Sequence, residues 1–252
     1  MILQRLAISI RKQDWFTVLI ETLIVVLGVF LGIQLGNWNE ARVTKERQQV
    51  LLEELVEDLR ADLVQLEGVE AFNQLRFSAA EGLVARATGW RLADTYPQDW
   101  ETDAPLAKPD GVLPETATAS DVLYFAQRFA AFDMQQRTYA AALATGDLAF
   151  AGRPGLSADI RAHYAGAEEY IATETTLYRD SHADLTRAFA RHGLSVSEDI
   201  SWEDLLAIVE SDPELIGQLK IIIWQTAVQH YYLDYLQAET LDLIETIEAG
   251  KD

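Results

Sequence analysis

Residues 15 to 36 read WFTVLIETLIVVLGVFLGIQLG, and from Trp15 to Leu35 they contain one charge, Glu21. A helix that crosses about 30 Å of hydrocarbon at 1.5 Å per residue needs roughly 20 apolar residues. The run has that length. A helix also satisfies its own backbone hydrogen bonds, which lipid cannot do. Trp15 and Trp38 bracket the run, as indole rings do at headgroup level. The core helix of a soluble protein is the first alternative, and the length argues against it. A cleaved signal peptide is the second. Its apolar region would be shorter and would end in small residues, whereas here Asn37-Trp38-Asn39-Glu40 follows. The sequence therefore predicts an uncleaved single-pass transmembrane anchor at 15–36.

One face of this helix is distinctive. At 3.6 residues per turn, Gly28 lies about 20° behind Glu21 and Gly32 about 20° ahead of it. Thr17 and Val25 flank Glu21, and Gly36 continues the row as G-x-x-x-G-x-x-x-G. Glycines at this spacing let another helix backbone approach closely. Thr17, Glu21, Val25, Gly28, Gly32 and Gly36 thus form the candidate association face, for a homo-oligomer or a partner membrane protein. Glycine is also common in membrane helices in general. Glu21 has three readings: a hydrogen-bonded carboxyl within a helix–helix contact, a snorkelling side chain, and a proton-relay group. The first is preferred, because the span holds no partner for a relay. Trp15, Asn37, Trp38, Asn39 and Glu40 are the candidate membrane-interface residues. They also suit a docking collar for a neighbouring subunit.

Outward from the anchor, the chain is acidic. Its net charge is −20. Residues 1–36 hold three of the 20 basic and two of the 40 acidic groups, so the remainder carries 17 against 38. Such a domain repels phosphate backbones, and no nucleic-acid partner is expected. No cysteine is present, which fits a periplasmic location without establishing it. Lys/Arg residues sit on both sides of the span (Arg5, Arg11 and Lys12; Arg42, Lys45 and Arg47). A short N-terminus inside and the bulk outside is the weakly preferred orientation. The expected place is the bacterial inner membrane, with the bulk domain in the periplasm.

The domain reading is 1–14 as a short interfacial segment, 15–36 as the span, and 37–252 as an acidic helical domain. Leu52, Leu55, Leu59, Leu63, Leu66, Val69 and Phe72 recur at helical spacing, with Glu53, Glu54, Glu57, Asp58 and Asp62 mostly outside the stripe. One long helix running from the anchor to about Trp90 is predicted. A proline-rich loop follows at 93–117. A helix capped by Ser120 should run to about Thr145 and stop at Gly146. Another, with Ser157 as its cap, should run from about Leu156 to His192 and stop at Gly193. Ser201 caps a short helix, and Asp212-Pro213 opens the last one. The fold class is all-α: a transmembrane helix running into an antiparallel bundle of about four long helices.

The string IETLIVVLGVFLGIQLGNWNEAR resembles the N-terminal signature of a family of uncharacterised bacterial single-pass membrane proteins. Glu21, Gly28, Gly32, Asn37, Trp38, Asn39 and Glu40 carry the likeness, in a V-V-x-G-V-x-x-G core with an N-W-N-E exit. A second stretch, Thr138 to Tyr164, resembles the family's mid-domain pattern at Tyr139, Leu143, Gly146, Leu148, Arg161 and Tyr164, with one extra alanine. The resemblance implies a membrane-anchored helical protein and brings no activity with it.

No H-E-x-x-H, G-x-S-x-G or phosphate-binding glycine loop occurs. His182, Asp184 and His192 are too few and too loosely spaced for a metal site, and His230 reads as a hydrogen-bonded core histidine. Neither metal, cofactor nor catalytic residue is expected. Tyr164, Tyr170, Tyr178, Tyr231, Tyr232 and Tyr235 suit either ordinary core or the lining of a ligand cavity, with core favoured. The leading expectation is a non-enzymatic membrane protein acting through protein–protein contacts, as a scaffold or accessory subunit. A periplasmic ligand sensor signalling through a partner is the alternative, and a hydrolase with an unrecognised site ranks last.

Overall fold

The computed structural model describes residues 15–95, 113–114, 116–150 and 153–250, excluding the side chains of 15–18, 175 and 177. The expected interfacial segment 1–14 and most of the expected loop 93–117 lie outside the described residues. Eight α-helices and one π-helical segment occur among the described residues, and no strand. The chain divides into two compact units, one ending at Leu51 and one beginning at Leu52.

Helix α1, Trp15–Thr88, spans 74 residues without a proline. It ends where predicted, at a glycine that accepts a left-handed conformation: Gly89 has φ 78° and donates its N–H to the Ala85 carbonyl at 2.9 Å. In the first unit every described residue from 19 to 42 is exposed. Arg42 pairs with Glu46 at 3.1 Å and reaches Asn39 at 3.4 Å, both along the same helix.

In the second unit, α1 buries Leu52, Leu55, Leu59, Leu66 and Val69, as the stripe predicts, while Leu63 and Phe72 are half-buried. Phe77, Ala80, Leu83 and Val84 carry the stripe on into the main core. There they meet Val122 and Leu123 of α3 (Ala119–Gln127), Leu185 and Phe189 of α6 (Arg179–Arg191), Leu205 and Val209 of α7 (Trp202–Ser211), and Leu219, Ile222 and Ile223 of α8 (Pro213–Ala249). The remaining helices are α2 (Leu92–Thr95), α4 (Arg137–Thr145) and α5 (Pro154–Thr173). Helix α8 packs against α5, α6 and α7.

Three expectations are corrected. The cap of α3 is Thr118, not Ser120: the Asp121 N–H donates to Thr118 Oγ1 at 3.1 Å, and the Thr118 N–H donates to Asp121 Oδ2 at 2.8 Å. Ser120 instead accepts the Ile200 N–H. Helix α5 begins with Pro154 in its first turn, and Ser157 donates to the Leu148 carbonyl rather than capping. The predicted helix 120–145 is two helices, broken by a non-helical strap at 128–136.

The strap exists because other groups take its backbone hydrogen bonds. Phe132 and Met134 point into the core. The Asp133 N–H donates to Gln65 Oε1 and the Gln135 N–H to Asp62 Oδ1 at 2.9 Å, both acceptors on α1. The Phe132 N–H donates to the Glu174 carboxylate. Asp62, expected among the outward acids, is therefore buried at 1% exposure. Ser201 caps α7, accepting the Asp204 N–H, and Asp212 with Pro213 opens α8, as predicted.

Burial raises the Asp62 carboxyl from 3.8 to about 6, against the pull of the Gln135 hydrogen bond. A folded-state value above the unfolded one means that the folded protein binds this proton more tightly. Its contribution to stability is therefore present at low pH and is lost as pH rises from about 4 through 6. Above that window the ionised group costs up to about 3 kcal/mol. Asp62→Asn keeps the acceptor and removes the charge. Thermal melts should show the variant gaining on the natural protein as pH rises from 4 to 7; a difference independent of pH would contradict this.

Candidate functional site

The sequence-derived association face lies along one exposed helix. Glu21, Val25, Gly28, Gly32 and Gly36 are all exposed, and a Cβ added at any of the three glycines meets nothing within 4 Å. The side chains of Trp15 and Thr17 lie outside the described residues. Asn37, Trp38, Asn39 and Glu40 are exposed on the same helix, Trp38 at 68%.

The second unit holds a buried polar centre that the sequence reading did not single out. Arg76 of α1 and Glu174 of the π segment are each 2% exposed. Tyr170 Oη donates to Glu174 Oε1 at 2.8 Å, and Gln229 of α8 donates to the same oxygen. Burial lifts the Glu174 carboxyl; hydrogen bonds from Tyr170, Gln229 and the Phe132 N–H, and the charge of Arg76, oppose that. Burial lowers Arg76 to about 10, and Glu174 holds it up. The guanidinium lies 5.5 Å from the Phe129 ring centroid, and its Nε and Nη2 make no hydrogen bond.

Glu174 reaches this centre from a widened turn. The helical run 154–191 passes from α5 through the π-helical segment Glu174–Tyr178 into α6. One extra residue per turn re-aims the side chains, and such segments recur at functional sites. The carboxylate of Glu174 turns inward, and Tyr178, 4% exposed, is buried beside it.

Beside this segment a cavity of about 360 Å³ opens between α5 and α8. Tyr170, Tyr178, Tyr232 and Tyr235 line it, with Glu169, Glu239 and Leu236. Tyr170 and Tyr232 stand 6.3 Å apart at 44°, and Tyr235 Oη donates to Glu239. Burial raises the Tyr178 hydroxyl to about 12, with Glu174 adding to the effect, and it raises Tyr170 further. Both remain neutral phenols at physiological pH. Of the six tyrosines considered from sequence, four thus line a cavity. Tyr164 is ordinary core and stacks on Tyr139 at 4.0 Å; Tyr231 sits edge-on to Tyr232 at 5.6 Å.

The histidines have separate surroundings. Asp184 pairs with Arg187, His182 faces the Phe129 ring, and His192 Nε2 lies 2.8 Å from Asp212 Oδ2. Among the described residues, the group whose donor atoms converge is Glu70, His230 and Asp234, all within 4.8 Å of one another. His230 is 8% exposed; its Nδ1 lies 3.3 Å from Glu70 and its Nε2 lies 3.7 Å from Asp234. Gln74 and Gln237 donate to the two oxygens of Glu70. Burial raises the Asp234 carboxyl and the neighbouring Glu70 adds to this, while His230 opposes it. One imidazole between two carboxylates links α1 to α8, and the same donor types suit a divalent cation.

With this geometry in place, one comparison is positive. The model of one protein family, described as a family of unknown function (DUF6090), matches residues 21–88. That stretch is less than half of the chain. It contains most of the exposed apolar stretch together with Asp62, Glu70 and Arg76 of α1; the second stretch of likeness, 138–164, lies outside it. No curated protein and no solved structure matches the chain.

Arg76 and Glu70 were legible in principle as charges flanking the buried row Val69, Asn73, Phe77. Arg76 and Glu174 act on one another through charge, and removing either leaves the other buried and uncompensated, at a cost below the roughly 3–5 kcal/mol typical of a contacting buried pair. Arg76→Met should lower stability in urea unfolding. Arg76→Met with Glu174→Gln should cost less than the sum of the single changes; strict additivity would show that the two groups do not interact.

Proposed function

We propose that the chain is a single-pass membrane protein acting through protein–protein contacts, as a scaffold or accessory subunit of a membrane complex. The observation that carries this reading is the exposure of every described residue from 19 to 42 on a continuous helix. The helix is long and apolar enough to cross a membrane, and none of its apolar stretch is buried. An apolar surface of this length is stable only against lipid or another protein. The glycine positions stand open to a second helix. In this reading residues 15–36 cross the bacterial inner membrane, and Trp15 and Asn37 to Glu40 mark its two interfaces. The acidic region, read as an antiparallel bundle of about four long helices, lies in the periplasm. The likeness of the anchor to bacterial single-pass proteins belongs to the same reading.

Leucine at Gly28 and Gly32 would fill the open face. The double substitution Gly28→Leu, Gly32→Leu should lower association at least severalfold in a membrane two-hybrid assay. It should also dissociate the oligomer or complex in native mass spectrometry of protein extracted from its own membranes. Full retention of both signals would overturn the reading. A reporter fusion after Asp252 tests orientation: alkaline phosphatase activity is expected, and an inactive fusion would place the C-terminus inside.

A second reading, a ligand-responsive domain signalling through a partner, is favoured by one observation. The tyrosine-lined cavity adjoins a π-helical turn, a combination that an ordinary packed core does not require.

A further inference from the structure

We infer that the cavity between α5 and α8 binds a small organic cation, an alkylammonium or quaternary ammonium group. This rests on the ligand-responsive reading and names its ligand class.

Four phenol rings surround the cavity, with carboxylates of Glu169 and Glu239 beside them. Aromatic faces attract a cation through the ring quadrupole, within about 6 Å of the centroid. No lysine or arginine is among the residues that line the space. Two of the rings are polarised in the favourable sense: Tyr170 Oη donates to Glu174 and Tyr235 Oη donates to Glu239. A phenol that gives its proton to a carboxylate has a more electron-rich ring, because hydrogen bonds in series polarise one another. The chain's own cations do not fill the cage. Among the described residues, Arg76, Arg86, Arg128 and Lys220 each lie over an aromatic ring elsewhere. An anionic ligand would face Glu169 and Glu239 unscreened. A neutral apolar ligand would gain the walls but nothing from the negative charge of Glu169 and Glu239, whereas a cation gains both. The volume, about 360 Å³, is at the small end for ligand sites. Tyr232 and Tyr235 are 44% and 53% exposed, so the mouth is open to solvent along α8.

The test is isothermal titration of the full-length protein in a maltoside detergent, which has no charged headgroup. The probes are choline, its neutral isostere 3,3-dimethyl-1-butanol, spermidine and citrate. Binding of choline or spermidine is expected, with the neutral isostere at least tenfold weaker than choline and no binding of citrate. Tyr232→Leu and Glu239→Gln should each weaken the cation at least fivefold while leaving the far-ultraviolet circular dichroism unchanged. Tyr235→Phe, which keeps the ring and loses the bond to Glu239, should weaken it less than Tyr232→Leu does. Equal binding of choline and its isostere, or binding of citrate, would overturn the cationic class and leave the ligand-responsive reading standing. Failure of all four probes would overturn both. Cation binding that survives Tyr232→Leu and Glu239→Gln together would place the ligand elsewhere and overturn the assignment of this cavity.

Discussion

A non-helical segment inside a helical protein has no turn of its own to take its amides, and much of the second unit is arranged around that constraint. The strap at 128–136 places Phe132 and Met134 in the core, and several of its N–H groups find acceptors on the helices beside it. Asp62 and Gln65 supply two from α1, and Glu174 supplies a third. None of these acceptors is free of cost. Asp62 is a buried carboxylate. Glu174 needs a widened helical turn to arrive, and its charge is balanced by Arg76 from across the core. The π segment, the buried charges of Arg76 and Glu174, and the wall of tyrosines are therefore parts of one arrangement, linked through a single carboxylate.

The polar groups inside this unit divide by purpose. Caps at Thr118, Ser201 and Asp212 satisfy helix ends at the surface and are local in sequence. The inner groups are not local: Asn73 donates to the Thr226 carbonyl, Gln225 to Ser181, and Gln229 to Tyr170 and Glu174. These bonds join α1, α5, α6 and α8 at fixed register. A purely apolar interface of leucines and alanines would allow sliding along the helices. Directional bonds of this kind fix which residue faces which.

The all-helical class and several helix ends were legible because they depend on short-range chemistry. Glycine at 146 and 193 does adopt the left-handed conformation that ends a helix, with φ of 79° and 75°. The first helix was legible from an unbroken apolar stripe with no proline. What misled the reading was a continuing pattern. Phe129 and Phe132 follow Phe125 at helical spacing, yet the backbone leaves the helix at Arg128 because α1 and Glu174 offer its amides better partners than its own next turn. That competition is tertiary and leaves no trace at 128–136 itself. The π segment is hidden for a related reason: one added residue shifts the period by too little to see in five positions. The buried role of Asp62 was missed because an acid beside an apolar stripe normally faces water. The cavity was half legible, since the tyrosines were noted but their separation into wall and core depends on how α5 meets α8. For the exposed face at Glu21, Gly28 and Gly32, the structure adds only that nothing within the described residues occupies it.

Helix α8 carries two sets of side chains on opposite sides. His230 and Asp234 meet Glu70 of α1, while Tyr232, Tyr235 and Glu239 line the cavity against α5. At 3.6 residues per turn the two sets lie about half a turn apart over the same stretch of helix. An α-helix is stiff about its own axis, so it transmits torque over two or three turns with little loss. Any roll of α8 that spreads the tyrosines must swing His230 and Asp234 relative to Glu70 by the same angle. The two sites thus share one rotational degree of freedom, with an electrostatic detent on one side of the axle and an aromatic cage on the other.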